Sequence, residues 1–211
     1  MAELRFPNEG SIPEFLAALA APEDPRGAVA AAAVAAAMGA SLLQMVAALP
    51  HTVRLDEEDE TALVSTVAVL VGIQEELLET VETDTAVKVF TARNMPQVTK
   101  AERVERDTAL QFALRAAADV PLEVMRLCGR ALQYAEAVAR HSSRRASVDV
   151  ALGVALLEAA LNAVRSDLEA KLPSLTDALH VTSLAEEVAR LSHEAAAAAE
   201  AGRSLLSVPP T

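Results

Sequence analysis

Apolar residues recur at intervals of three and four along most of this chain, which is the spacing of a helix that buries one face. No stretch combines strict apolar–polar alternation with the turn dipeptides of a β-hairpin. The pattern therefore predicts an all-α protein. Start and stop signals predict helices over 11–20, 25–49, 56–93, 99–140, 147–171 and 174–202.

Capping side chains and prolines set these boundaries. The predicted caps are Ser11 with Glu14, Thr99 with Glu102, Ser147, and Ser174 with Asp177, while Gly202 is expected to end the last helix. Proline lacks a backbone donor, so Pro121 predicts a kink or a short break at 119–121.

The segment 25–49 is almost entirely small and apolar, and Asp24-Pro25 is a strong helix start signal. A helix that is apolar on every side must be surrounded by other helices or by lipid. Alanine has little apolar area to favour membrane insertion, yet it lets neighbouring backbones approach closely. We therefore interpret this segment as the central helix of a soluble bundle, with a membrane span as the alternative.

Several predicted helices exceed twenty residues and are joined by short loops, which is typical of an up-and-down bundle of long helices. We expect one domain over 1–211, with a loose tail from about 203. The alanine-rich helix and the stretch 148–164 carry more apolar surface than one chain can cover. This surplus indicates a homodimer or a larger oligomer.

The composition of the chain argues against two classes of binding partner. The formal net charge is −12 and aromatic residues make up 2% of the chain, which argues against binding to nucleic acid or to an anionic membrane surface. The first residues, MAELRFPNEG, lack the features of a signal peptide, and Cys128 has no second cysteine to pair with. Both features favour the cytoplasm.

Signatures of metal and nucleotide chemistry are missing from the sequence. The four histidines are not paired with a second ligand at i, i+4, and there is no CxxC, so no metal is expected. GxSxG, the P-loop and the dinucleotide fingerprint are also missing.

Three stretches in matching order resemble the cyclodeaminase/cyclohydrolase family, which includes the C-terminal domain of formiminotransferase-cyclodeaminase and methenyltetrahydrofolate cyclohydrolases. They are EFLAALAAPEDPRGAVAAAAVAAAMGASLLQMVAAL, MPQVTKAERVERDTALQFALRAAADVPLEVMR and VDVALGVALLEAALNAV. The resemblance implies an all-helical homodimer whose substrate is a tetrahydrofolate derivative. It does not separate formimidoyltetrahydrofolate cyclodeaminase from cyclohydrolase activity, and a member that has lost catalysis and serves as a structural or ligand-binding homodimer is the alternative.

The family's glycine-rich loop at the start of the alanine helix matches Pro25-Arg26-Gly27 here. The resemblance implies that the amide of Gly27 contacts the ligand. Arg26 departs from the family's glycines, and we expect it to replace their amide contacts by binding a folate carboxylate. An ordinary capped helix start explains the same residues without a ligand.

Four further candidates follow from the family's motifs and from the ligand that they imply. The resemblance implies that Asp149 and Glu82 are catalytic carboxylates and that Asn162 contacts the ligand. The anionic tail of a folate needs a cation, and we expect Arg145 to supply it. Asp149 and Glu82 also suit a helix start and a solvated helix face, respectively. The apolar neighbours of Asn162 favour a buried amide that bonds across helices.

Overall fold

The computed structural model describes residues 11–21, 27–50, 55–81 and 85–206, and the regular structure within these ranges is helical. The all-α prediction is confirmed. The helices are α1 (Ile12–Ala20), α2 (Gly27–Ala47), α3 (Glu57–Val81), α4 (Thr85–Arg93), α5 (Lys100–Gln133), α6 (Ala135–His141), α7 (Ser147–Lys171) and α8 (Ala178–Leu206). A short 3-10 turn, Leu172–Ser174, precedes α8.

Both predicted capping boxes are present. The Ser11 N–H donates to Glu14 at 2.5 Å, and Thr99 and Glu102 exchange hydrogen bonds of 2.7 and 3.2 Å. These bonds to backbone N–H groups lower the pKa of each glutamate. Local signals therefore locate the starts of α1 and α5 correctly.

The other two predicted caps are wrong in detail. Ala146 holds the N-cap position of α7, and Ser147 is its first residue, whose hydroxyl donates to the Arg144 carbonyl at 2.8 Å. Asp177 alone caps α8, since its carboxylate accepts the His180 N–H at 3.2 Å. Gly202 does not end α8, which continues to Leu206 and thus includes the start of the predicted tail.

Pro121 causes no break, so the short break predicted at 119–121 is wrong, while the alternative of a kink stays a prediction. The chain is helical throughout α5, and the boundary falls later, at Tyr134. Proline leaves the carbonyl of Ala117, four residues earlier, without its helical donor. Lys171 at the end of α7 supplies a donor, because its Nζ lies 3.1 Å from that oxygen.

The predicted helix over 56–93 corresponds to α3 and α4, which flank residues outside the described ranges. α4 packs on α5, whereas α3 packs mainly on α2. The α2 helix itself ends at Ala47, slightly before the predicted end at 49.

Interhelical contacts fix the helix directions. Arg130 of α5 pairs with Glu76 of α3, whereas the later His141 approaches the earlier Asp59, so α3 is antiparallel to α5 and α6. Lys171 contacts Ala117, whereas the later Ser174 contacts the earlier Gln111, so α7 is antiparallel to α5. Only nine residues, 48–56, connect α2 to α3, which pack along each other as an antiparallel pair. The chain thus forms the predicted up-and-down bundle.

The alanine-rich α2 packs most extensively against α7 and α3. A Cβ on Gly39 would lie 2.7 Å from the Gly153 carbonyl oxygen, and one on Gly153 would lie 3.0 Å from the Gly39 oxygen. The backbones of α2 and α7 therefore touch where both helices carry glycine. Leu43 and Leu157 flank this contact and are fully buried.

Three helices, α2, α3 and the segment Ser147–Ser174, are long and apolar enough to cross a membrane by length and composition. Half of the 18-residue apolar stretch of α2 is buried within the bundle. Apolar side chains also remain exposed on these helices, including Met38, Met45, Val64 and Leu152.

Candidate functional site

The start of α2 requires a glycine. Gly27 has φ of +39°, in the region that side chains disfavour, and it is exposed, as is Ala28. The Gly27 position is therefore constrained by its backbone, and its surface is open to a ligand. Arg26, predicted to act beside it, lies outside the described residues.

The start of α7 is built by serines of the preceding loop. The Ser142 hydroxyl donates to Ala139, and the Ser143 hydroxyl accepts the Ala146 N–H at 3.2 Å. Together with the Ser147 bond to Arg144, these contacts hold the turn that leads into α7. The first turn of α7 is thus fixed by short-range hydrogen bonds.

Asp149 lies in this first turn and is partly buried. Its backbone N–H donates to the Ala146 carbonyl at 3.0 Å, but its carboxylate has no hydrogen bond or ion pair with another described residue. It lies at the positive end of the α7 dipole. A carboxylate held at a helix start without a cationic partner can receive a cationic ligand.

Basic side chains surround the same end of α7. Arg144 and Arg145 are exposed and have no ion pair with a described residue, whereas Arg140 is paired with Glu136 at 2.7 Å. His141 lies 3.5 Å from Asp59 and ties the loop to the start of α3. No sequence signal links His141 to Asp59, so this contact was not predicted.

The expectation of a buried Asn162 is wrong. Asn162 is exposed on α7, and its side chain forms no hydrogen bond with a described residue. Apolar residues adjoin it in sequence, but the helix turns position 162 outward while Leu161 and Val164 face the core. Its amide is therefore available to a ligand or to another surface.

Glu82 also lies outside the described residues, so its position stays a prediction. Within the described part of the chain, no group of three histidine, cysteine or acidic side chains is placed to hold a metal ion.

The candidates that the structure describes fall into two groups. Gly39 of α2 touches Gly153 of α7. Gly39 lies twelve residues after Gly27, and Gly153 lies four residues after Asp149. Because the helices are antiparallel, these separations add, and Gly27 and Asp149 lie roughly 25 Å apart at 1.5 Å per residue. Asn162 lies nine residues beyond Gly153, close to the level of Gly27. One end of the bundle therefore holds Gly27 and Asn162, and the other holds Arg145 and Asp149.

Comparison with known proteins adds a family match. The family model described as formiminotransferase-cyclodeaminase matches residues 11–190. A methenyltetrahydrofolate cyclohydrolase from Methylorubrum extorquens is 29% identical over 189 residues, covering 89% of this chain and 91% of that protein.

Two further relatives extend the comparison. A formimidoyltransferase-cyclodeaminase from Gallus gallus is 27% identical over 80% of this chain, which spans only 32% of that protein. The crystal structure of formiminotetrahydrofolate cyclodeaminase from Thermotoga maritima superposes with a TM-score of 0.82, covering 93% of this chain and 96% of that chain at 21% identity. At this identity the likeness shows the fold.

Proposed function

Because the chain belongs to the formiminotransferase-cyclodeaminase family, we propose that it is an enzyme of folate one-carbon metabolism. Its substrate is a tetrahydrofolate derivative, and its reaction is of the formimidoyltetrahydrofolate cyclodeaminase or methenyltetrahydrofolate cyclohydrolase type. The observation that carries this proposal is the match along nearly the whole length of a named cyclohydrolase, together with the family match.

The environment of Asp149 suits this chemistry. The methenyl group of the folate is an amidinium-like cation, and it is the product of the deaminase reaction and the substrate of the hydrolase. The Asp149 carboxylate, which has no cationic partner among the described residues, would stabilise that charge and orient or deprotonate water. Glu82 is the second candidate carboxylate.

The anionic tail of the ligand needs cations. Arg145 and the neighbouring Arg144 are exposed and unpaired within the described residues, at the same end of α7 as Asp149. In this proposal they bind carboxylates of the folate glutamate tail. Gly27 and Asn162 lie at the opposite end of the bundle from Asp149, so in this proposal they and Arg26 contact the ligand that is bound by Asp149 of the other subunit of the homodimer.

The remaining parts of the proposal concern assembly and location. The exposed apolar residues of α2 and α7 support a homodimer. The acidic composition supports a protein that binds neither nucleic acid nor a membrane surface, and the single cysteine supports a protein of the cytoplasm. The chemistry above requires no metal.

A second candidate is a family member that has lost catalysis and works as a structural or ligand-binding homodimer. It is favoured by the start of α2, where Ala28 and Val29 carry side chains next to Gly27 in a loop that is richer in glycine in the family. These side chains limit the approach of an anion to the backbone amides.

Equilibrium titration with tetrahydrofolate and with its methenyl form tests the proposal. We expect saturable binding of both ligands by the wild-type protein. Asp149→Asn should weaken binding of the cationic methenyl form by about tenfold and leave neutral-ring tetrahydrofolate much less affected. Asp119→Asn, on an exposed position of α5, is the matched control and should change neither affinity.

Failure of both ligands to bind would contradict the enzyme and the ligand-binding candidate together. Binding without turnover would support the second candidate.

A further inference from the structure

One face of α2 is apolar along the whole helix and is only partly covered by the rest of the chain. Six residues at alternating spacings of three and four form it, and we call them the α2 seam: Ala28, Ala31, Ala35, Met38, Leu42 and Met45. None of them is buried, and Met38 and Met45 are 50% and 43% exposed. Strict alternation of this kind is typical of a helix that packs on one partner helix, as in a coiled coil.

The seam continues onto α7. A Cβ on Gly153 would lie 3.4 Å from the Cβ of Leu42, and one on Gly39 would lie 3.3 Å from the Cβ of Leu156. Leu42 and Leu156 are both partly exposed, so they border the contact of the two helices at the surface. Leu152, at 50% exposure, extends the same apolar surface along α7.

The size of the seam residues changes along the helix. Its first half consists of three alanines, and its second half of Met38, Leu42 and Met45. Two seams that run antiparallel bring each alanine against a large residue, which fills the space evenly. Two parallel seams would place alanine on alanine and methionine on methionine, and would splay the helices at one end.

Charge favours the same direction. The acidic start of α3, with five acidic residues over 56–60, lies at the C-terminal end of α2. Parallel seams would bring two copies of this cluster to one end of the dimer, where they repel each other. Antiparallel seams place each cluster at the positive N-terminal end of the other copy's α2.

We propose that a second copy of this chain covers the α2 seam, with the two α2 helices antiparallel and Ala28, Ala31 and Ala35 facing Met45, Leu42 and Met38 of the second copy. This inference specifies the interface of the proposed homodimer and rests on that part of the proposed function. The axis of twofold symmetry passes between Ala35 and Met38.

This register also brings the two groups of candidate site residues to one level. Along the bundle axis, Asp149 lies at the height of position 43 of α2 in the same copy. In the proposed register that position faces position 30 in α2 of the second copy. Asn162 of the second copy lies at the height of this position 30, close to Gly27. Each end of the dimer therefore combines Gly27 and Asn162 of one copy with Asp149 and Arg145 of the other.

Cysteine crosslinking tests the register. Ala28→Cys and Met45→Cys are made as two separate proteins, one of which carries a tag. Each variant alone, and a mixture of the two after subunit exchange, is treated with a short bismaleimide. We expect crosslinked dimers only in the mixture, because in a dimer of one variant the two equivalent cysteines lie roughly 25 Å apart. The wild-type protein is the control for Cys128, which is fully buried.

Each alternative arrangement gives a different result. Self-crosslinking of Ala28→Cys and of Met45→Cys would mean parallel seams and would overturn the proposal. A monomer, or a protein that is recovered only in detergent or vesicles without the mixed crosslink, would overturn it as well.

Dissociation provides a second measurement. Met38→Glu should lose the dimer in a sedimentation experiment while keeping its helical circular dichroism, whereas Phe112→Glu, at an exposed apolar position of α5, should not. A dimeric Met38→Glu would contradict the proposal. Neither experiment uses folate, so a correctly crosslinked dimer that binds no folate would refute the proposed function alone.

Discussion

Gly39 of α2 and Gly153 of α7 touch through their backbones, and each would bring a Cβ to 2.7 or 3.0 Å from the carbonyl oxygen of the other. This contact sets the distance between the two helices that carry Gly27 and Asp149. It also leaves Leu42 and Leu156, which are both partly exposed, on opposite sides of the contact. The same pair of glycines therefore positions both the candidate site and the apolar seam.

Gly39→Ala should destabilise the protein by about 1–3 kcal/mol, because the added methyl meets a backbone oxygen that cannot move without separating the helices. Gly129→Ala is the control, since a Cβ there meets nothing within 4 Å. It should stabilise α5 by about 0.5–1 kcal/mol. Urea unfolding at one protein concentration measures both, and equal effects of the two changes would contradict the close contact.

Lys171 should stabilise α5 by bonding to the carbonyl that Pro121 leaves free. Lys171→Met should lower the free energy of unfolding by about 1–3 kcal/mol, because the Ala117 oxygen loses its donor. Asp167, which lies 2.5 Å from Lys171, loses its partner in the same variant.

Pro121→Ala separates these two effects, since alanine restores the helical N–H to Ala117. In that background Lys171→Met should destabilise the protein less, as measured by a double-mutant cycle in urea. Strict additivity of the two changes would show that the Lys171 bond does not replace the missing donor.

The stability of α8 should depend on pH through its cap. The hydrogen bond from the His180 N–H, followed by the charge of Arg115, lowers the pKa of Asp177. A lowered pKa in the folded state means that the stabilisation is present above the unfolded pKa and is lost as the pH falls through the folded value. The free energy of unfolding should therefore decrease as the pH is lowered below about 4.

Asp177→Asn keeps a capping side chain but removes the titrating charge, so it should flatten this part of the pH profile. Asp119→Asn, which changes an exposed carboxylate without a described partner, should leave the profile unchanged. Acid unfolding followed by circular dichroism compares the three proteins. Identical profiles for Asp177→Asn and the wild type would rule out the cap as the cause.

Mixed dimers should reveal whether each site uses both copies. Asp149→Asn and Asn162→Ala are each expected to lack activity, whereas a mixture after subunit exchange contains dimers with one intact site. Random exchange should restore about a quarter of the wild-type activity. No recovery, with subunit exchange verified by tagged subunits, would mean that the two residues do not act together in a site built from both copies.

Sequence alone locates most helices because their starts depend on residues three or four positions apart. The Ser11–Glu14 and Thr99–Glu102 boxes are of this kind. The continuity of α5 across Pro121 could not be predicted, because its compensating donor, Lys171, is distant in the sequence.

The candidate site was harder to predict than the fold. A resemblance supplies Asp149 and Asn162 but gives no distance between them, which depends on the antiparallel packing of α2 and α7. The burial predicted for Asn162 is wrong because its apolar sequence neighbours face the core while position 162 faces outward.

The absorbance of methenyltetrahydrofolate in the presence of the purified protein tests the central claim most directly. Hydrolysis of added methenyltetrahydrofolate lowers this absorbance, and deamination of the added formimidoyl derivative raises it. We expect the wild-type protein to accelerate one of these changes and Asp149→Asn to lose about 100-fold or more of that rate, while Asp119→Asn retains it. A wild-type protein that leaves both absorbance traces at the uncatalysed rate, or an Asp149→Asn variant as active as the wild type, would contradict it.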